Sequence, residues 1–196
     1  MRNKTKLQKI QHLLLKPSFT SSEAAALGVS ASLLSYYAKK GILKKLGHGI
    51  YSSSSFGIAT EWQWEDLVQV VSTIPNGVVC LITALRLWDL TDEHSREFWI
   101  AIPHKTKAQN IGAHSRIVRY RNMELGRTTI KIGGIDVPIF DETRTVLDAF
   151  RLLSAEIAIK ALKQLASAGK LDFRKMSLYS KILRVNITPY ILTVST

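Results

Sequence analysis

The segment SSEAAALGVSASLLSYYAKKGILKKLGHGIYS, residues 21–52, decides the fold of the first part of the chain. Ser21 or Ser22 can cap a short helix over residues 23–27, whose alanines allow close packing against a neighbouring element. Gly28 then supplies the backbone freedom that a tight turn requires. These signals predict a short helix that ends in a sharp corner.

The helix after this corner has two different faces. Ser30 can cap its start and Gly41 can end it. Its positions divide into an apolar set and a polar set: Leu34, Tyr37 and Ala38 against Ser32, Ser35, Tyr36 and Lys39. The helix is therefore expected to bury one side and to present a slim, polar and basic side to solvent.

A further helix and a hairpin flank this pair. Leu7, Ile10 and Leu14 form an apolar stripe that predicts a helix over residues 6–16. Downstream, two β-prone arms over residues 42–46 and 50–52 surround a Gly-His-Gly turn, which is typical of a small hairpin. Three helices followed by such a hairpin predict a winged helix-turn-helix.

Positive charge is concentrated in this part of the chain. The formal net charge is +12, and residues 1–56 hold nine lysines and arginines against Glu23 alone, a net +8. The remainder holds 18 cations and 14 acids, a net +4. Such asymmetry is expected of a segment that meets nucleic acid or an anionic membrane surface.

The helix-turn-helix pattern favours DNA. Short hydroxylated side chains near the start of a recognition helix can approach base edges in a groove about 12 Å wide, while lysines at its margins meet phosphates. The predicted DNA-binding residues are Ser22, Ser30, Ser32, Ser35, Tyr36, Lys39, Lys40, Lys44, Lys45 and His48. Two alternatives remain open, because such side chains also occur on solvated helix faces and helix-turn-helix shapes also serve as protein–protein modules.

The chain beyond residue 56 has a different pattern. Its signals predict five helices, over residues 61–73, 84–90 (capped by Thr83), from 141 or 143 to 153, 155–168 and 172–184. They also predict strands over 77–82, 98–102, 116–120 and both arms of TTIKIGGIDVPIF. Pro138 predicts an edge position for the last strand. The expected fold class is α+β: a winged helix-turn-helix over residues 1–56, then a mixed α/β domain with a small sheet and several helices over residues 57–196.

This second domain carries clustered basic residues. Arg116, Arg119 and Arg121 lie along one predicted strand, and Lys160 and Lys163 share a helix face. They are predicted to make secondary contacts with the DNA backbone, which would extend the basic surface along the duplex. A solvated face is the alternative interpretation.

Signals for catalysis are weak. The five histidines lack metal-ligand spacing, the lone Cys80 lies among apolar residues, and phosphate-loop and nucleophile-elbow motifs are absent. Asp136 is better explained as a solvated acid than as a nuclease carboxylate. Asp89, Asp92 and Glu93 could bind a cation, but a helix end explains them at least as well. The four tryptophans are better explained as core residues than as base-stacking residues. We predict no metal, no cofactor and no enzyme activity. No apolar run is long enough to span a bilayer and the start lacks a signal peptide, so a cytoplasmic protein is expected.

Several segments together resemble a known family. They are GHGIYS (47–52), VVCLITALRLWDLTD (78–92), FWIAIP (98–103), IFDETRTVLDAFR (139–151) and SKILRVNITPYI (180–191). In this combination the chain resembles the AbiEi-type antitoxins of abortive-infection toxin–antitoxin systems, over about residues 18–191. Many relatives carry His-Gly where this chain has Trp88 and Asp89.

The resemblance implies a bacterial antitoxin that represses its own operon. Its winged helix would bind repeats upstream of that operon, and its C-terminal domain would assist repression and oppose a nucleotidyltransferase-like toxin. The expected partners are therefore double-stranded DNA and, as a functional partner, the toxin. The alternative is an orphan DNA-binding regulator or DNA-processing enzyme whose second domain senses a ligand or cleaves a strand.

Overall fold

The computed structural model describes residues 2–58, 60, 62–106 and 114–192. They form two compact units. The described residues of the first unit are 2–58, 60, 62–75 and 131–136, and those of the second are 76–106, 114–130 and 137–192. The domain boundary expected after residue 56 stays a prediction.

The N-terminal part of the first unit consists of helices and a small sheet. Its elements are α1 (Arg2–Lys9), α2 (Gln11–Leu14), β1 (Phe19–Thr20), α3 (Ser21–Ala26), α4 (Ala31–Lys39), β2 (Leu43–Gly47), β3 (Ile50–Ser53) and α5 (Trp62–Ser72). Residue 61, the expected start of the last helix, lies outside the described residues. The helices and hairpin predicted from residues 21–52 are all present.

The helix predicted over residues 6–16 is broken in two. Ile10 lies between α1 and α2 with φ −106° and ψ 15°, outside the helical range. Its side chain is fully buried, and Leu7 and Leu14 pack against the same core cluster. The apolar stripe was therefore correct, but the uninterrupted helix was wrong.

The sheet of the first unit has three antiparallel strands in the order β1-β3-β2. Phe19 pairs with Tyr51, and their rings stack with centroids 6.2 Å apart. Leu34 and Tyr37 of α4 belong to the same buried cluster. The buried face of α4 and the short strand β1 thus share one core with the hairpin β2–β3.

The second unit combines a five-stranded sheet with helices. Its elements are β4 (Val78–Val79), α6 (Leu81–Leu87), β5 (Phe98–Pro103), β6 (Ser115–Tyr120), β7 (Arg127–Ile132), β8 (Ile135–Phe140), α7 (Glu142–Leu152), α8 (Ala155–Ser167), α9 (Phe173–Leu183) and α10 (Thr188–Leu192), where the ends of β7 and β8 at residues 131–136 group with the first unit. The strand order is β6-β5-β4-β8-β7, with β5 parallel to β6 and β4 parallel to β8. Gly133 and Gly134 join β7 to β8 with φ of 54° and 83°, as a primed hairpin turn requires.

The strand predicted over residues 77–82 is shorter than expected, because β4 covers only Val78–Val79 and α6 already begins at Leu81. Cys80 still donates its N–H to the Trp99 carbonyl, 3.0 Å, and Leu81 then takes φ 48° and turns the chain into α6. Thr83 therefore lies inside the helix, where its Oγ1 accepts the Trp99 N–H at 2.9 Å, and the cap predicted there was wrong. Residues 81–85 are all buried, so their sequence shows no periodicity that could separate helix from strand.

Two further predictions were wrong. β8 lies between β4 and β7, so Pro138 is not on an edge strand. Proline has no backbone N–H to donate, but β8 pairs with β4 only through Val79 and Ile139, so this short ladder tolerates Pro138. Trp62, predicted to pack in the core, is 80% exposed. Cys80 is buried as predicted, and burial raises its pKa well above the usual thiol value.

Helix α6 ends in a Schellman motif at Trp88, Asp89 and Leu90. Leu90 N–H donates to the Leu85 carbonyl at 2.8 Å and Asp89 N–H to the Arg86 carbonyl at 3.1 Å. Asp89 takes φ 55°, the left-handed conformation that glycine adopts most easily. Trp88 donates its indole N–H to the Phe140 carbonyl at 2.8 Å, which connects the helix end to β8.

A buried ion pair lies on helix α7 of the second unit. Arg144 and Asp148, both on α7, are each 1% exposed, and Arg144 Nε lies 2.7 Å from Asp148 Oδ2. Arg151 Nη1 lies 2.7 Å from Asp148 Oδ1. The Arg144 guanidinium also lies 4.6 Å from the centroid of the Phe140 ring. One buried carboxylate therefore pairs with two arginines, of which Arg144 is buried and Arg151 is exposed.

Candidate nucleic-acid interface

The corner between α3 and α4 is a Schellman motif. Val29 N–H donates to the Ala24 carbonyl at 3.0 Å, and Gly28 N–H donates to the Ala25 carbonyl at 2.9 Å. Gly28 has φ 78°, and both Ala24 and Val29 are fully buried. Backbone geometry and an apolar contact therefore fix the angle at which α4 leaves α3.

A capping box fixes the start of α3, with Thr20 as the cap instead of the predicted Ser21 or Ser22. Thr20 Oγ1 accepts the Glu23 N–H at 3.1 Å, and Glu23 Oε2 accepts the Thr20 N–H at 2.7 Å. Lys16 Nζ lies 3.0 Å from Glu23 Oε1. The hydrogen bond from the Thr20 backbone, followed by bonds from Lys16 and the Thr20 hydroxyl, lowers the pKa of Glu23.

This capping box uses the only acid of residues 1–56. Lys16 faces Glu23, which leaves no acid of residues 1–56 for the cations of α4 and the hairpin. Within the part of the chain that the structure describes, no carboxylate lies within ion-pair distance of Lys39, Lys40, Lys44 or Lys45. The first unit therefore presents lysines whose charge no described acid neutralises.

The predicted recognition face of α4 is exposed. Leu34 and Tyr37 are buried on the opposite side, as the sequence predicts. Burial raises the pKa of Tyr37, with a smaller contribution from Tyr36. The exposed residues on or beside this helix are Ser30, Ser32, Ser35, Tyr36, Lys39 and Lys40. All six predicted positions of this helix are thus accessible to a ligand.

Their hydrogen bonds differ. Ser30 Oγ accepts the Leu33 N–H at 3.4 Å, which confirms it as the cap of α4, and lies 2.9 Å from Ser32 Oγ. Ser35 Oγ lies 3.4 Å from Tyr51 Oη, at the limit of a hydrogen bond. Tyr36 is 42% exposed, and Lys40 Nζ lies 5.9 Å from its ring centroid. Tyr36 is the largest exposed side chain on this face.

The hairpin lies beside the start of α3. Ser21 N–H donates to the Gly49 carbonyl at 2.7 Å, and Thr20 pairs with Ile50. The exposed residues Ser22, at the start of α3, and His48, in the hairpin turn, are thereby brought into one region. Sequence reasoning missed this connection, since the two-residue strand β1 is too short to produce a periodic signal.

Lys44 and Lys45 are exposed on β2, an edge strand of the three-stranded sheet. They pair with Ser52 and Tyr51 of β3. Exposed lysines on an edge strand also hinder pairing with other sheets, so this position alone does not define a binding role. Their charge lies on the hairpin that the Ser21–Gly49 hydrogen bond holds beside α3.

The basic residues predicted in the second unit are all exposed: Arg116, Arg119, Arg121, Lys160 and Lys163. Arg116 lies over the Trp99 ring, 4.1 Å from its centroid. Lys160 Nζ lies 2.8 Å from Glu156 Oε1, and this pair raises the pKa of Lys160. Arg119 and Arg121 have no ion pair within the described residues, and they line a pocket of this unit.

The described residues contain neither a cluster of potential metal ligands nor a helix that could span a membrane. No group of three histidine, cysteine, aspartate or glutamate residues is arranged there to hold a metal ion. No helix in that part of the chain is long and apolar enough to cross a bilayer.

A short helix, a glycine turn and a second helix with an exposed polar face are consistent with the helix-turn-helix class. Residues 9–53, which include this pair and the hairpin, match the family model described as transcriptional regulator, AbiEi antitoxin. The match confirms the family resemblance over this segment and indicates an antitoxin transcriptional regulator. No curated protein matches the chain. The resemblance of the residues after Ser53 stays a prediction.

Proposed function

We propose that the chain is a DNA-binding antitoxin that represses its own operon in the cytoplasm. The observation that carries this proposal is the exposed face of α4 beside a lysine-bearing hairpin, in a segment whose only acid is engaged by the cap of α3. In this proposal residues 1–56 act as a winged helix-turn-helix, with α4 as the recognition helix and β2–β3 as the wing.

The polar face of α4 is assigned to base readout. Ser32, Ser35 and Tyr36 are exposed, and their hydroxyls can donate to and accept from base edges. The 2.9 Å contact between the Ser30 and Ser32 hydroxyls orients Ser32 before DNA arrives, whereas Ser35 has only a 3.4 Å contact with Tyr51. Tyr36 has the largest exposed side chain on this face, so it is assigned the largest share of sequence discrimination.

The lysines are assigned to the phosphate backbone. Lys39 and Lys40 lie at the end of α4, and Lys44 and Lys45 lie on the hairpin, all without a described acidic partner. An exposed ammonium without an acidic partner breaks no ion pair when it contacts a phosphate, and the contact releases condensed counterions from the duplex. These residues therefore supply affinity on every sequence and orient α4, while Ser22 and His48 extend the same contact surface.

The second unit is assigned a supporting role. Arg116, Arg119, Arg121, Lys160 and Lys163 are exposed and can meet phosphates beyond the primary site. Lys160 is the weakest of these candidates, because Glu156 already pairs with it. In this proposal the same unit opposes a nucleotidyltransferase-like toxin, as the family resemblance implies.

Footprinting on the DNA upstream of the chain's own gene tests this proposal. The full-length protein should protect repeated sequences overlapping that promoter and lower transcription from it in a reporter strain. In cells whose growth is inhibited by a neighbouring toxin gene, co-expression of the chain should restore growth. Absence of any protected sequence, together with strand cleavage in the presence of Mg²⁺ or Mn²⁺, would favour the DNA-processing alternative.

A further inference from the structure

A basic pocket lies at the carboxyl ends of two parallel strands in the second unit. Its volume is about 460 Å³. His104 follows β5 and Arg121 follows β6, and the His104 N–H donates to the Tyr120 carbonyl at 2.9 Å. Crevices outside the carboxyl ends of parallel strands are the usual ligand sites of open α/β sheets, and this volume suits a small molecule.

Positive charge converges on this pocket. Its lining includes five arginines and no carboxylate: Arg119, Arg121, Arg144, Arg151 and Arg184. The buried Asp148 pairs with two of the five, so five guanidinium charges and one carboxylate leave a net charge of +4 at the pocket. Arg119, Arg121 and Arg184 have no ion pair within the described residues. The pocket is thus arranged for an anion carrying several charges.

The buried Arg144 stabilises the pocket, because its donors are engaged within the protein. The ligand is assigned to the other arginines. Arg144 Nη1 donates to the Leu125 carbonyl at 2.8 Å and Nη2 to the Asn122 carbonyl at 3.2 Å, while Nε is engaged by Asp148. Asn122 Oδ1 in turn accepts the Leu125 N–H at 3.0 Å. These bonds fix the backbone of the loop that carries Arg121 beside the pocket.

Part of the pocket lining is apolar. Val118, Leu152, Ile182 and Leu183 line it, and Leu152 and Ile182 are 45% and 49% exposed. An inorganic anion would use only the arginines, whereas a nucleotide has both a polyphosphate and a planar ring that packs on aliphatic side chains. We propose that this pocket binds a nucleotide, with its phosphates on Arg119, Arg121 and Arg184 and its base against Leu152 and Ile182.

This inference goes beyond the proposed operator binding. A duplex distributes its charges evenly along the helix, about one per 1.7 Å, whereas the guanidinium groups here converge on one recess. Two of them, Arg119 and Arg121, are also candidate backbone contacts, so duplex and nucleotide have to be tested separately on the same preparations.

The test is calorimetric titration of the full-length protein, without divalent cations, with ATP, GTP, CTP and UTP. At least one triphosphate should bind saturably with one site per chain. Arg121→Ala and Arg184→Ala should each weaken that binding at least tenfold, because each removes a charge that no described acid balances. The matched control Arg96→Ala removes an exposed arginine of the same unit that does not line the pocket, and should leave the affinity unchanged.

Three results would overturn the proposal. They are no saturable binding of any triphosphate, equal affinities in the pocket variants and the control, and inorganic triphosphate binding as tightly as every nucleotide. Thermal unfolding confirms that each variant is folded. Operator affinity is measured on the same preparations with Lys44→Ala, so a failed nucleotide site is distinguishable from a failed DNA-binding assignment.

Discussion

Replacing Lys39, Lys44 and Lys45 together by alanine tests the assignment of α4 and the hairpin to the DNA backbone. All three side chains are exposed, and no described carboxylate pairs with them. Their removal therefore breaks no ion pair within the described part of the chain and leaves the core of the first unit intact. The loss expected in the variant is a loss of contacts to DNA.

The expected magnitude follows from counterion release. Each phosphate contact contributes about −0.9 to the slope of log affinity against log salt concentration, so three lost contacts should make the slope shallower by about 2.7. Between 50 and 200 mM salt, one contact accounts for about a 3.5-fold fall in affinity and three for roughly 40-fold. The reduction should be similar on operator and unrelated duplexes, since phosphates carry no sequence information.

Fluorescence anisotropy with a labelled duplex, repeated over that range of salt concentrations, measures the slope. Lys131→Ala is the matched control, because Lys131 is also an exposed hairpin lysine but pairs with Asp136 at 2.9 Å. Its slope should equal that of the unchanged protein. If the triple variant also kept the full slope, the docking of α4 and the hairpin on DNA would be wrong.

Four further changes have defined outcomes. Tyr36→Phe should cost about 1–3 kcal/mol at the operator and alter the base preference found by randomised-site selection, and an unchanged preference would remove Tyr36 from readout. Asp89→Gly should stabilise the fold by about 0.5–1 kcal/mol in chemical unfolding because glycine relieves the left-handed backbone, whereas Asp92→Gly should give no gain. Asp148→Ala should destabilise by about 3–5 kcal/mol, since two arginines lose their shared carboxylate; a loss below 1 kcal/mol would contradict this. Thr20→Ala should cost about 1 kcal/mol of unfolding free energy through the lost cap, and an unchanged denaturation midpoint would refute the capping box.

The helix-turn-helix region was largely predictable because its signals are local. Ser30 caps α4, Gly28 and Gly41 take positive φ, and the alternation of buried and exposed positions follows the helical period. Such features depend on a few neighbouring residues and survive in a single sequence. The family match to residues 9–53 covers this same region.

Other features were not predictable because tertiary contacts decide them. β1 forms because β3 provides its partner strand. The helix α3 then begins directly after β1, so its cap is Thr20 and not one of the predicted serines. α6 is buried on all sides over residues 81–85 and so has no amphipathic pattern. Asp148 lies on α7 at helical spacing from Arg144 and Arg151, whereas Arg119, Arg121 and Arg184 come from separated segments that no spacing rule brings together.

The hydrogen bond between Ser21 and Gly49 has an energetic consequence for any partner of this surface. With the β1–β3 pairing, it holds the hairpin turn and the start of α3 together before anything binds. A surface ordered in advance loses little conformational entropy on association, so most of the contact energy remains available as affinity. Because the turn and the helix cannot adjust independently, a ligand must match their fixed separation or forfeit one of the two contacts.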